Sequence, residues 1–225
     1  GRSGGRGTWH GQARRMTAPL QAAEPRLVLA SASVARRALL EGAGLAFTAC
    51  ASAVDEDAMK ASARAEGLGA ADTALLLADA KAMRMAAKEP EALVIGADQM
   101  LVCTINGEER WFDKPPSLDA ARGHLRLLRG REHRLVTAIV CWRHGARVWH
   151  HVAVPRLTMR PISDAFLDAY LALEGERLLA SVGAYRLEGP GVQLFQSVTG
   201  EHAAVLGVPL LPLLAFLRDH GVLLA

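Results

Sequence analysis

The chain reads as an α/β protein with a mixed, strongly twisted sheet, and three features of its sequence carry that expectation. Short apolar runs pass straight into helical patterns, as in LVLASASVARRALL from Leu27 to Leu40. A central block, His133 to Met159, instead has the alternation of long strands joined by a tight turn. Of the 225 residues 51% are hydrophobic, enough to cover both faces of a sheet. Strand-to-helix units favour parallel pairing and hairpins force antiparallel pairing, so their coexistence implies a mixed sheet.

Taken in order, LVLA is a short buried strand, and Ser33 is placed to cap a helix through Ala38, Leu39 and Leu40 that stops at Gly42 and Gly44. AFTACASAV, from Ala46 to Val54, reads as a strand running into the acidic loop Asp55-Glu56-Asp57. Asp72 is positioned to cap the long helix DTALLLADAKAMRMAAK, and ALVIGAD is a buried strand ending on the Asp98 carboxylate. QMLVCTI and ERWF flank Asn106-Gly107 as a hairpin whose loop Glu108 lengthens. Ser117 caps SLDAARGHLRLL, which Gly130 closes. HRLVTAIVCW and ARVWHHVAVPRLTM form two long strands joined at His144-Gly145. Ser163 caps SDAFLDAYLAL, the glycine-rich YRLEGPG precedes a strand VQLFQSV, and a last helix runs from near Pro209 to Gly221.

The formal charge of +3 is small, and part of it comes from GRSGGRGTWHGQARR. That segment has no apolar period and no secretory core, so it reads as a disordered extension or an artefact of expression, with Met16 as the natural start. The remaining charge is too balanced for a nucleic-acid partner. The most apolar stretch, VLGVPLLPLLAFL, is short and broken by Pro209 and Pro212, so no membrane span is expected. Cys50, Cys103 and Cys141 fit neither a metal knuckle nor a disulfide framework, which points to the reducing cytoplasm.

Residues that suggest chemistry gather where strands end. At the Leu27–Leu40 strand-to-helix turn the first helical N–H groups are unpaired and carry the positive end of the dipole, a setting that favours an anion. Ser31 and Ser33 add hydroxyls there, and Arg36 supplies a planar fork for phosphate. Asp98 projects from a strand end, and with Glu56 it offers hard oxygens to a divalent ion that substrate phosphates and water complete. Lys81, in an Ala- and Leu-rich helix, and Lys114, in DKPP, add cations. Thr137 interrupts the strand LVTAIV and Glu188 opens the loop EGPG, and both are candidate substrate-binding residues.

Each residue alone has an ordinary explanation: a cap, a solvated lysine, a turn carboxylate, a strand threonine. Their combination is what metal-assisted cleavage of a nucleotide phosphoanhydride requires. The chain has no GxxxxGK[ST] loop, no metal-ligand spacing among its eight histidines and no histidine-based triad.

LASASVARRALL, VDE with Glu56, LADAKA with Lys81, GADQM with Asp98, DKP with Lys114, LVTAIV, and AYRLEGPGVQLFQSVTGEHAAVLGVPLLPL together resemble the Maf family of nucleoside triphosphate pyrophosphatases. The likeness begins near Arg26. It divides the chain into an extension, residues 1–25, and one nucleotide pyrophosphatase domain, residues 26–225.

The resemblance implies an elongated mixed twisted sheet with flanking helices and a central cleft, related to the inosine triphosphate pyrophosphatases and often dimeric. It implies hydrolysis of a nucleoside triphosphate between the α- and β-phosphates, with Mg²⁺, Mn²⁺ or Co²⁺, in the house-cleaning of modified nucleotides. By motif position, Ser31, Ser33 and Arg36 would bind phosphate, Lys81 and Lys114 would support it, and Glu56 and Asp98 would serve metal and water, Asp98 being the proton acceptor.

Glu188 and the two residues Val34-Ala35 before Arg36-Arg37 are similar to the branch that prefers 7-methyl-GTP. A carboxylate there accepts hydrogen bonds from the guanine N1–H and amine, whereas glutamine suits a pyrimidine edge. Two other readings stay open from sequence: a dTTP/UTP pyrophosphatase of the same family, and a non-catalytic nucleotide-binding regulator of cell division.

Overall fold

A computed structural model describes residues 20–225. Its centre is a mixed eight-stranded sheet. Strand β1 (Leu27–Leu29) lies parallel to both β2 (Phe47–Ala49) and β3 (Leu93–Ile105). The other pairings are antiparallel: β3 with β4 (Glu108–Phe112) and β5 (Glu132–Arg143), β5 with β6 (Ala146–Ala153) and β7 (Arg156–Met159), and β7 with β8 (Phe195–Thr199).

Strands β3 and β5 are long enough to carry two neighbours each on their outer edges. On β3, β1 pairs with Leu93–Ile95 and β4 with Leu101–Ile105, so Gly96–Met100 lies between the ends of two shorter strands. Because β1 runs with β3 and β4 runs against it, the C-terminal ends of both point into this gap. The chain leaving β1 carries Ser31 and Ser33; the chain leaving β4 carries Asp113 and Lys114. Asp98 is at the middle of the gap.

Side-chain alternation along β3 and β5 separates the cores. Val94, Met100, Val102, Val136, Ala138 and Val140 face helix α3 (Ala70–Ala86). On the other face Leu93, Ile95, Ile139 and Cys141 pack on α1 (Val34–Gly42) and α7 (Leu210–Asp219). Further along that face Leu101, Cys103, Ile105 and Leu135 pack on α4 (Leu118–Leu128) and α5 (Asp164–Glu174).

The serine caps form as the sequence predicts: Ser33, Ser117 and Ser163 accept from Arg36 N, Ala120 N and Phe166 N. Each such cap contributes about 1 kcal/mol. Several elements differ from expectation for local reasons. The segment read as strand and acidic loop ends its strand at Ala49, and Asp55 caps a helix, α2 (Glu56–Ala65), whose first turn places Glu56 and Asp57 against the positive dipole end. Helix α3 starts before Asp72, with Gly69 at its N-cap, so Asp72 acts on the dipole within the first turn. Ile105 pairs directly with Glu108, leaving Asn106-Gly107 as a two-residue turn with φ of 54° and 82°; Glu108 belongs to the strand. Pro155 lacks an N–H donor and divides the expected long strand into β6 and β7. Pro190–Leu194 forms a 3-10 turn ahead of β8, and a four-residue helix, α6 (His202–Val205), follows it, too short to show a period.

The expected extension reaches into the fold at its end. Gln21 bridges to Leu223, Ala22 N donates to Val222 O, and the Gln21 side chain makes two hydrogen bonds of 2.9 Å with the Ala46 backbone. The segment before Met16 lies outside the described residues. Cys50, Cys103 and Cys141 are free thiols, and no described helix is long and apolar enough to cross a membrane.

His133 on β5 is 1% exposed, with Nε2 2.9 Å from the Tyr185 hydroxyl and Nδ1 unpartnered among the described residues. Burial lowers its pKa to about 4. Between about pH 6.5, where an unfolded histidine titrates, and pH 4, the unfolded chain binds a proton that the folded chain does not. Stability from this group is therefore complete above pH 6.5 and lost as pH falls toward 4, by about 3 kcal/mol. Urea unfolding of His133→Gln is expected to show a flatter stability profile across that window; an unchanged slope would assign the loss to other groups.

Candidate active site

The site is built outward from the end of β1. Ser31 is 8% exposed, and its hydroxyl oxygen accepts from Ser33 N at 3.1 Å. One residue past the Ser33 cap, α1 opens with its dipole toward the gap in the sheet. Arg36 folds back from the first turn: Nε donates to Gly207 O at 3.0 Å and Nη1 lies 3.5 Å from Ser31 Oγ. Burial lowers the Arg36 pKa, opposed by the charges of Asp98 and Glu56, so the guanidinium shares their electrostatic neighbourhood. At neutral pH it remains a cation.

Across from this cradle, α3 supplies Lys81. Gly96 and Asp98 point to the same face of β3, and a Cβ at Gly96 would sit 2.4 Å from Ala78 O and 2.9 Å from Ala82 Cβ. The missing side chain lets helix and strand approach, and Lys81 Nζ donates to Asp98 Oδ1 at 2.8 Å. The same ammonium is 2.9 Å from Glu56 Oε1, at the start of α2. Ser52 Oγ, donating to Lys81 O at 2.9 Å, ties the chain ahead of α2 to α3.

The two carboxylates differ in environment. Asp98 is 4% exposed and its Oδ2 has no hydrogen-bond partner among the described residues. Burial raises its pKa above the usual carboxylate range, against the pull of Lys81 and Arg36. Glu56 is half-buried; burial opposes its charge, but the hydrogen bond from Lys81 and the charges of Lys81, Lys60 and Lys114 prevail and hold its pKa low. Lys60 Nζ, also on α2, contacts Asp113 Oδ1 at 2.6 Å; burial works against its charge, and that contact outweighs it and raises its pKa. Lys114 is exposed beside this pair.

Ser31, Ser33, Arg36, Glu56, Lys81, Asp98 and Lys114 thus surround one gap. Thr137 is placed otherwise: it is fully buried, and its hydroxyl donates to Ala204 O at 2.9 Å and accepts from Gln99 Nε2 at 2.9 Å. Among the described residues Glu188 pairs with Arg186 and with no member of this cluster. Its Oε1 is 3.6 Å from Arg186 Nε, while Arg186 Nη1 is 3.6 Å from the buried Glu174. Sequence reading missed Lys60 and Gly207. Lys60 carried a signal in its spacing, one turn after Glu56 on a helix; Gly207 carried none, since its partner is 171 positions away.

Glu56 and Asp98 fit a hard divalent ion, because Asp98 Oδ2 is a buried oxygen without a partner among the described residues and Glu56 reaches solvent. Among the described residues no group of three or more His, Cys, Asp or Glu side chains gathers, so such an ion would take its remaining oxygens from substrate phosphates and water. A shallow apolar groove between Met59, Leu76 and Trp142 shares no residue with the cluster; the charges mark the site.

A helix N-terminus, several converging cations and two hard carboxylates in one gap of a mixed sheet define a protein suited to holding polyphosphates. The chain belongs to the Maf family, whose Maf-like protein model matches residues 26–220. It is 55% identical over 198 residues to the nucleoside triphosphate pyrophosphatase of Granulibacter bethesdensis, covering 88% of this chain and 98% of that one. The nucleoside triphosphate pyrophosphatase of Rhodospirillum rubrum is 51% identical, covering 92% of this chain and 100% of its own. The 7-methyl-GTP pyrophosphatase of Rhizobium meliloti is 49% identical, covering 89% and 98%.

Lys81→Met removes the ammonium shared by two carboxylates and leaves Asp98 buried without a countercharge at bonding distance. Urea unfolding at pH 7 is expected to show a loss of about 3 kcal/mol. Adding Asp98→Asn should recover most of it; a double variant as unstable as Lys81→Met would mean that lost packing, not charge, is responsible.

Proposed function

We propose that this chain hydrolyses nucleoside triphosphates at the α–β phosphoanhydride, releasing a nucleoside monophosphate and pyrophosphate. Membership of the Maf family and the names of its relatives support the reaction class. The observation that carries the mechanism is Asp98, a buried carboxylate with one oxygen held by Lys81 and the other unpartnered among the described residues.

In this reading Asp98 Oδ2 accepts a proton from water. The water oxygen bonds to phosphorus as the bond to the α–β bridging oxygen breaks, and pyrophosphate departs with its electrons. Desolvation raises the Asp98 pKa, which makes it a stronger base than an exposed aspartate while Lys81 keeps it oriented. Ser31, Ser33, the α1 N-terminus and Arg36 bind the phosphates. Lys81 and Lys114, with Lys60 nearby, balance negative charge as it shifts to the leaving group. A divalent ion such as Mg²⁺, Mn²⁺ or Co²⁺, held by Glu56 and Asp98, would neutralise phosphate charge and lower the pKa of water.

For the base, the favoured substrate is 7-methyl-GTP. Glu188 lies in a loop wound around Arg186, with its carboxylate exposed enough to accept from a guanine edge. The relatives named 7-methyl-GTP pyrophosphatase support this choice.

A product assay with 7-methyl-GTP, GTP, dTTP, UTP and CTP, with Mg²⁺ or Mn²⁺, tests both levels. Monophosphate and pyrophosphate are expected, fastest from 7-methyl-GTP, with activity falling at least about 10³-fold in Asp98→Ala. Glu188→Gln is expected to shift preference toward dTTP or UTP. Fastest turnover of dTTP by the natural chain would overturn the base assignment alone, and no turnover of any nucleotide would favour a binding regulator.

A further inference from the structure

We propose that Thr137 and Gln99 are positioning residues for the phosphate-binding Arg36, acting on it through the segment from His202 to Gly207. The inference rests on the reading of Arg36 as a phosphate ligand and adds to it the device that aims its guanidinium.

Gln99 on β3 and Thr137 on β5 are direct partners in the sheet register. Both lie on the face that carries two separate cores, between Ile95 and Ile139 on one side and Leu101 and Leu135 on the other. Two polar residues at that seam need partners, since an unmet buried group is costly. Besides the 2.9 Å hydrogen bond from Gln99 Nε2 to Thr137 Oγ1, their partners are carbonyls of α6: Thr137 Oγ1 donates to Ala204 O at 2.9 Å, and Gln99 Nε2 reaches Ala204 O and Val205 O, both at 3.0 Å.

A four-residue helix cannot sustain itself, because nucleation is not offset by enough propagated hydrogen bonds. The seam supplies what α6 lacks by adding donors to the Ala204 carbonyl, which also accepts from Gly207 N at 3.2 Å, and to the Val205 carbonyl. Glu201 Oε1 accepts from Leu211 N at 2.8 Å and anchors the other end of the segment to α7.

Two residues beyond Val205 is Gly207, with φ of 114°, whose carbonyl accepts from Arg36 Nε. A Cβ at this position would lie 3.0 Å from Arg36 Nε and 3.3 Å from Arg36 Cγ. The carbonyl occupies Nε and leaves Nη1 of the guanidinium 3.5 Å from Ser31 Oγ. Removing the Thr137 hydroxyl loosens Ala204, shifts Gly207 O and lets the guanidinium turn. The residue that interrupts an otherwise apolar strand therefore acts on phosphate without touching it.

The test uses the full chain and reads competitive inhibition by inorganic pyrophosphate, KM and kcat for nucleoside triphosphate, and Tm. Thr137→Val keeps the side-chain shape and removes the hydroxyl; Thr137→Ser restores it. Thr137→Val is expected to weaken pyrophosphate inhibition and raise KM by about 10-fold, with a smaller change in kcat, and Thr137→Ser should return both to within about twofold of the natural chain. In an Arg36→Ala background, Thr137→Val is expected to cost nothing further. Should Thr137→Val fail to fold, Gln99→Met removes the amide that reaches Ala204 O and Val205 O and should raise KM in the same way. A lower Tm with unchanged pyrophosphate inhibition, or losses that add in the double variant, would overturn the coupling alone. Unchanged inhibition and KM in Arg36→Ala would overturn the phosphate role of Arg36 and the coupling with it.

Discussion

Helix α3 lies so near β3 that a single added methyl at Gly96 would meet the Ala78 carbonyl at 2.4 Å, and the charged cluster depends on that closeness. Ala74, Ala78 and Ala82 keep the helix face small where it meets Val94 and Val140. A larger side chain at any of these places would lift α3 from the sheet and draw Lys81 away from Asp98. Close packing of apolar surface thus sets the distance of an ion pair, which is the reverse of an ion pair pulling a helix into place. The direction matters energetically, because a partly desolvated pair contributes little net stability by itself and needs its geometry supplied by the surroundings.

Electrostatics then follow from position. Asp98 sits deep, with burial raising its pKa, while Glu56 is nearer solvent among three lysines that hold it ionised. One ammonium at 2.8 and 2.9 Å from the two carboxylates keeps both from repelling each other. Without a polyanion the cations are balanced locally: Lys81 by Glu56 and Asp98, Lys60 by Asp113. Under the proposed function, phosphate would exchange partners among charges already assembled, with little need to gather new ones, which is the meaning of a preorganised site.

The gap itself arises from strand length. Two short strands share one edge of β3 without meeting, and the opposite directions of β1 and β4 send both of their C-terminal connections to the same place. One connection brings the helix N-terminus and its serines, the other Asp113 and Lys114. On the far face the change of neighbours leaves a seam between two cores, filled by Gln99 and Thr137 and closed by α6. Asp98 and Gln99, adjacent in sequence, therefore face opposite sides of the sheet and serve different ends.

Local interactions were readable from the sequence because both partners lie within a few residues. Serine caps, the turn at His144-Gly145, the apolar strands and the strand-to-helix turn at Ser31–Arg36 all belong to this class, whereas the loop at Asn106-Gly107 is one residue shorter than expected; family motifs singled out Glu56, Lys81, Asp98 and Lys114. Capping errors were also local: Asp55 and Gly69 proved to be the helix boundaries, where an acidic run and Asp72 had suggested otherwise. What only the tertiary structure decided was which distant groups share a partner. The threonine in LVTAIV is an ordinary strand residue until Ala204, 67 positions on, is brought to its hydroxyl, and Arg36 Nε finds its acceptor in a carbonyl 171 positions away. Periodicity and propensity describe a residue against its own segment, whereas the register of β3 with β5 and the close approach of α3 are set by packing among segments, and no local pattern encodes those distances.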